Sequence, residues 1–308
     1  MLDLLAIVVP VFLVVGAGYL AVWRGLFKDS AVDGLMVFTQ KFAIPCLLFT
    51  AIATLDLSAE FDLWLLVSYY GAASACFAFG VLAARALFRR PWPDSIAIGF
   101  AAMFANSVLL GLPVTERAFG TGALGPNYTI IAFNAAFCYL VGITTMEIVR
   151  AQAKGLQLLR TVGNAMFRNA LMIGIGAGFL VNFSGLPIPI VAQDALDLMI
   201  RAALPAALFG LGGVLYRYKP EGDAGTIVFL CGLSLLVQPG LTYALGAVGG
   251  LTTGQMRSAV VTAAMAPGIN AYIFADMYGV ARRVVASTVL IGTGLTILGA
   301  AFWLAILP

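Results

Sequence analysis

From Leu4 to Trp23 the chain runs for 20 residues without one charged side chain. A helix rises 1.5 Å per residue, so about 20 apolar residues match the hydrocarbon thickness of a bilayer. The pattern recurs along the whole chain. Apolar runs at about 4–23, 34–54, 62–84, 96–119, 126–148, 167–184, 193–215, 225–248, 257–279 and 284–306 predict ten spanning helices. The connections are short, the longest polar link being 149–166, and no soluble domain fits between them. Asp3 stands where a secretory leader carries Lys or Arg, so the first run is expected to remain as a span. Of the 308 residues 62% are hydrophobic and 10% charged, against roughly 25% charged in a soluble domain, which places the chain in a membrane.

The few charges orient the spans. With the N-terminus outside, the inner connections hold thirteen basic residues, Arg24, Lys28, Arg85, Arg89, Arg90, Arg150, Lys154, Arg160, Arg168, Arg217, Lys219, Arg282 and Arg283; the outer ones hold only Arg117 and Arg257. A net charge of +3 spread over short links makes no basic patch, so no nucleic-acid partner is expected. The chain has no histidine, which removes His-based catalysis, ligation and pH sensing. Its four cysteines, Cys46, Cys76, Cys138 and Cys231, lie in apolar runs without CxxC spacing and read as buried hydrophobes. No metal site, cofactor or intramembrane enzyme is expected, since no nucleophile–base pair or paired acids at helical spacing occur.

The chain repeats itself. "GAGYL" at Gly16 returns as "GAGFL" at Gly176, and "KFAIP" ending at Pro45 returns as "RAALP" ending at Pro205, both 160 residues on. "AAM" at Ala101 returns at Ala263, 162 on, and Phe119-Gly120 is echoed by Tyr278-Gly279. The unit holds five spans, and an odd number sends the second copy through the membrane upside down. The predicted fold is all-α: two inverted five-helix repeats, residues 1–150 and 151–308, an arrangement typical of secondary transporters. An inverted repeat within one chain argues against a channel built around one axis.

Corresponding spans of the two halves are interrupted. The fourth reads "AAMFANSVLLGLPVTERAFG", with its break expected between Asn106 and Pro113, including Ser107 and Gly111; the ninth is expected to break from Pro267 through Gly268 to Asn270. Unwound backbone at membrane depth must face protein or a water-filled cavity. Half-helix N-termini there suit an anion, and asparagine amides can donate and accept. Lys41 and Arg201, each four residues before a proline, place charge inside spans. They either line a cavity and attract an anion or snorkel to the headgroups. Asp276 and Glu147 are the acidic residues to consider for coupling, and Glu147 and Glu116 also read as interfacial charge.

On "VFLVVGAGYL", "FAIPCLLFTAIA", "NSVLLGLP" and "AAMAPGINAYIFA", the chain resembles the auxin efflux carrier family over nearly its full length. That family includes plant auxin exporters and bacterial permeases for malonate and malate. Val108 stands where the family commonly has glycine. The resemblance implies a fold shared with bile-acid-type sodium symporters, with a scaffold of spans 1, 2, 6 and 7 and an elevator-like transport unit of spans 3–5 and 8–10. It also implies Asn106 and Asn270 as crossover asparagines and Pro113 and Pro267 as breaking prolines. The expected function is secondary transport of small organic anions across the inner (plasma) membrane. The rival is a sodium-coupled symporter, for which Asn134, Gln238, Thr293 and Thr296 are scattered ligand candidates. A proton or sodium as coupling ion, and a homodimer, stay open.

Overall fold

The computed structural model describes residues 2–56, 62–150, 170–219, 221 and 223–308. Among them every regular element is helical. In chain order these are α1 (Leu2–Trp23), α2 (Asp29–Phe38), α3 (Ile44–Ala53), α4 (Leu63–Ala86), α5 (Trp92–Met103), α6 (Leu112–Phe119) and α7 (Gly125–Arg150). The second part of the chain holds α8 (Ala170–Ser184), α9 (Ile190–Arg217), α10 (Ala224–Gly232), α11 (Gln238–Val248), α12 (Thr253–Ala263), α13 (Ile269–Tyr278) and α14 (Arg282–Ile306). Lys154, Arg160 and Arg168, and the expected start of the sixth span, lie outside the described residues.

Among the described residues six helices are long and apolar enough to cross a membrane: Asp29–Ala53, α4, α7, α9, Ala224–Val248 and α14. Two of these rods contain a π-helical turn, Thr39–Ala43 joining α2 to α3 and Leu233–Val237 joining α10 to α11. Val8–Trp23 of α1 and the whole of α8 are shorter apolar helices. The four fragments α5, α6, α12 and α13 belong to the two interrupted segments. Helix starts follow local chemistry. Asp62 caps α4 by accepting from the Trp64 amide at 2.7 Å, and Thr252 with Gln255 forms a capping box on α12.

Two bundles emerge from the packing. In one, α1 lies along α9 and α8 along α3. In the other, α4 lies against α5 and α11, and α10 and α13 lie against α14. In the first bundle small residues set the spacing, because lipid offers no hydrophobic drive and close backbone approach must supply dispersion energy. A Cβ at Gly18 would overlap the Phe209 carbonyl oxygen, and one at Gly178 would lie 2.8 Å from the Phe49 carbonyl oxygen. Gly18 and Gly178 are 160 residues apart, and so are Phe49 and Phe209. The same contact is therefore made twice, with the partners exchanged between the two halves of the sequence. The repeated "GAG" is a packing motif: its third residue meets a neighbour's backbone, whereas Cβ atoms at Gly16 and Gly176 would meet nothing within 4 Å.

Candidate functional site

The two interrupted segments meet at their breaks. The first unwinds over Phe104–Asn106, between α5 and a π-helical turn (Ser107–Gly111) that runs into α6. The second unwinds between the end of α12 at Ala263 and the start of α13 at Ile269. Both breaks lie nearer the N-terminus than expected. Pro113 directly follows the π-helical turn inside the half-helix that Asn106 caps and does not unwind it; Gly111 closes the π-helical turn and Asn270 sits in the first turn of α13. Of the two expected breaking prolines, only Pro267 stands in unwound chain.

Unpaired backbone is the chief cost of breaking a helix in lipid. Here the two breaks satisfy each other. The Asn106 amide donates to the Ala266 carbonyl at 2.9 Å, and the Gly268 amide donates to the Phe104 carbonyl at 3.0 Å, an antiparallel bridge centred on Ala105 and Pro267. Phe104 and Ala266 are 162 residues apart, as are Asn106 and Gly268. Exchanging each residue for its repeat mate thus turns one hydrogen bond into the other. The Ala266 amide is taken up by the Thr296 hydroxyl of α14 at 3.2 Å.

Both half-helix N-termini open on one cavity of about 590 Å³. The crossover supplies Phe104–Leu109 and Gly268–Asn270; the Asp29–Ala53 rod supplies Gln40, Lys41 and Ile44; Tyr139 comes from α7, Ala170 and Leu171 from α8, and Ile273 from α13. Among the described residues no lining side chain is acidic, and Lys41 is cationic. Within the described residues the amides of Val108, Ile269 and Asn270 make no hydrogen bond, as expected of first-turn donors. Asn106 caps the first half-helix, its Oδ1 accepting from the Leu109 amide at 3.3 Å; its Nδ2 is buried without a partner. Free N–H groups and helix N-termini without a competing carboxylate make a site for an anion's oxygens.

Lys41 lies at the midpoint of the 25-residue rod Asp29–Ala53, in the π-helical turn. The rod starts five residues before the expected span, which puts the Lys41 backbone about 18 Å along the helix from either end, and its exposed side chain opens on the cavity. Arg201 is exposed on α9 and does not line the cavity, so the two intramembrane cations are parted. Gly111, Pro113 and Pro267 also stay outside the lining; they shape the crossover from behind. Asp276 pairs with Arg282 at 2.9 Å, and Glu147 accepts from the Tyr278 hydroxyl at 3.0 Å while Arg150 donates to the Tyr278 carbonyl at 2.6 Å; neither acid lines the cavity. Gln40 and Tyr139 are lining residues that carried no sequence signal.

The family model described as "Membrane transport protein" matches residues 4–304. A protein of Rhizobium meliloti (strain 1021) named "Putative malonate transporter" is 25% identical over 307 residues, covering 96% of this chain and 93% of that one. An "Uncharacterized transporter" of Methanothermobacter thermautotrophicus (strain Delta H) is 27% identical over 311 residues, with 97% of each chain covered. With its membrane-length helices and a family match from end to end, the chain is a multi-pass membrane protein, a transport protein rather than an enzyme, and it belongs to the auxin efflux carrier family of membrane transport proteins.

Proposed function

We propose that this protein is a secondary transporter of small organic anions, carboxylates of the malonate and malate kind, acting in the inner (plasma) membrane by alternating access. The observation that carries the proposal is the convergence of two half-helix N-termini, Asn106, Ser107, Asn270 and Lys41 on a cavity with no acidic lining among the described residues. The name of the Rhizobium meliloti relative supports the same substrate class. In this proposal the chain crosses the membrane ten times with its N-terminus outside, as two inverted five-helix repeats. The reciprocal contacts of Gly18 with Phe209 and Gly178 with Phe49, and the reciprocal bridge at the crossover, support that topology. The bundle of α1–α3, α8 and α9 serves as scaffold, and the bundle of α4–α7 and α10–α14 carries the site past it. The exposed Arg201 face of α9 suits contact with a second copy in a homodimer.

Reconstitution in liposomes tests the function. Uptake of radiolabelled malonate, malate, an indole carboxylate and a bile acid is measured with and without sodium and a pH gradient. We expect saturable transport of at least one small carboxylate. Transport of none sinks the proposal, and strict sodium dependence moves the protein to the symporter alternative. Under uniport the membrane potential would drive an anion outward with about 2.3 kcal/mol per charge per 100 mV.

A further inference from the structure

We infer that Asn134 is a positioning residue of this site, holding the Ser107 hydroxyl so that its proton is offered to the bound carboxylate. The inference rests on the anion-carrier proposal and names the hydrogen-bond logic by which that site selects an ionised acid.

Asn134 lies on α7 and is buried. It does not line the main cavity; it lines a 30 Å³ annex behind it, shared with Ser107 and Asn270. Its Nδ2 donates to Ser107 Oγ at 3.2 Å, and its Oδ1 accepts from the Cys138 thiol at 3.6 Å. In this arrangement the amide turns its nitrogen to Ser107 and its oxygen to the thiol one turn along α7. A hydroxyl has one proton to give and two lone pairs to receive with. Ser107 Oγ has received from Asn134 and, within the described residues, donates to nothing, so its proton is left for the cavity. Next to it, Asn106 Nδ2 is a second buried donor without a partner. Two adjacent donors meet the two oxygens of a carboxylate. A protonated acid would accept from both more weakly, since its oxygens no longer carry the charge that strengthens such bonds.

Aspartate at position 134 reverses the logic. As a carboxylate it accepts the Ser107 proton and turns the hydroxyl away from the cavity; once protonated it can donate again. The experiment measures binding of radiolabelled malonate to purified protein from about pH 5 to about pH 8, as a ratio to wild type at each pH. We expect Asn134→Asp to bind at least about tenfold more weakly near pH 8 and to come within about threefold of wild type near pH 5. Plain charge repulsion would give a similar profile, so the decisive arm uses the Ser107→Ala background. There, Asn134→Leu is expected to cause no further loss, and Asn134→Asp to show no low-pH recovery. Ser107→Thr, which keeps the hydroxyl, is expected to keep binding; this arm and Asn134→Leu stand if Asn134→Asp does not fold. Binding within threefold of wild type for Asn134→Asp and Asn134→Leu at all pH values, or additive losses with Ser107→Ala, overturns the positioning role and leaves the anion carrier standing. Wild-type protein that binds none of the four carboxylates used above overturns the carrier proposal itself and this inference with it.

Discussion

Lys41 and Arg201 show how far a single residue can be read from its neighbours in sequence. Each is a cation inside an apolar run, four residues before a proline, and the sequence treats them alike. The structure parts them: both side chains are exposed, but Lys41 lines the cavity and Arg201, on α9, does not. Lys41→Ala is therefore expected to weaken malonate binding roughly tenfold to a hundredfold, the size of a lost charge-assisted hydrogen bond of about 1.5–3 kcal/mol. Arg201→Ala is expected to leave affinity unchanged. Equal effects from the two variants in a binding titration would remove Lys41 from the site. Asn106→Ala and Asn270→Ala are expected to abolish uptake while leaving the amount of folded protein near normal, and normal uptake by either would take that asparagine out of the site. These asparagines were legible because Asn beside Gly and Pro has little use inside a spanning helix. Gln40 and Tyr139 were not, since a polar or aromatic residue in an apolar run is indistinguishable from a packed one until the neighbouring helices are placed. Arg201 marks the opposite case, a conspicuous charge that the cavity does not use.

At the scale of helices, the repeated "GAG" separates packing from backbone freedom. Gly18 and Gly178 press on carbonyl oxygens of α9 and α3, while Gly16 and Gly176 have open space around them. Gly18→Ala and Gly178→Ala should each force two helices apart and destabilise the fold by about 1–3 kcal/mol, the usual cost of overpacking. Gly16→Ala and Gly176→Ala should be neutral or slightly stabilising, alanine being the better helix former. Thermal unfolding in detergent reads the contrast, and equal loss of melting temperature across the four variants would refute the packing assignment. The helices themselves were legible from run length, because the hydrocarbon dictates it. The two breaks were legible as to segment but not as to residue. Proline signals that a helix is irregular nearby, and Pro113 follows a π-helical turn inside the half-helix while the chain unwinds seven residues earlier at Asn106. The π-helical turns at Thr39–Ala43 and Leu233–Val237 left no signal, since one residue more in a single turn shifts a helical pattern too little to be read.

Across the whole molecule, what matters is how the two bundles are joined. The connection after α3 is held to the first bundle by Asn182, whose Nδ2 donates to the carbonyls of Ile52, Ala53 and Leu55 at 3.0, 3.2 and 2.8 Å. Its far end is held to the second bundle, where Asp62 accepts from Gln255 Nε2 at 3.1 Å. The connection after α9 is treated alike. Arg217 is tied to Asp29 and Asp33 of α2, and two residues on, the Ser287 hydroxyl of α14 shares its one proton between the carbonyls of Lys219 and Glu221 at 3.1 and 2.6 Å. In the proposed transport movement, one bundle would turn past the other about Tyr218–Lys219 on the α9 side. Tyr218, at the end of α9, packs its ring 4.9 Å from that of Tyr272 on α13, a contact that carrying the site past the scaffold would have to break. Cysteines at 218 and 272, in a chain whose four native cysteines are replaced, can be bridged by a short thiol cross-linker. The bridged protein is expected to bind malonate with its affinity little changed and to transport nothing, with uptake restored by a cleavable linker and reductant. Because binding is kept, that outcome would separate a blocked movement from a damaged site. Full transport by the bridged protein would mean that the two bundles move as one body, and alternating access would then need a gate within the crossover rather than a sliding unit.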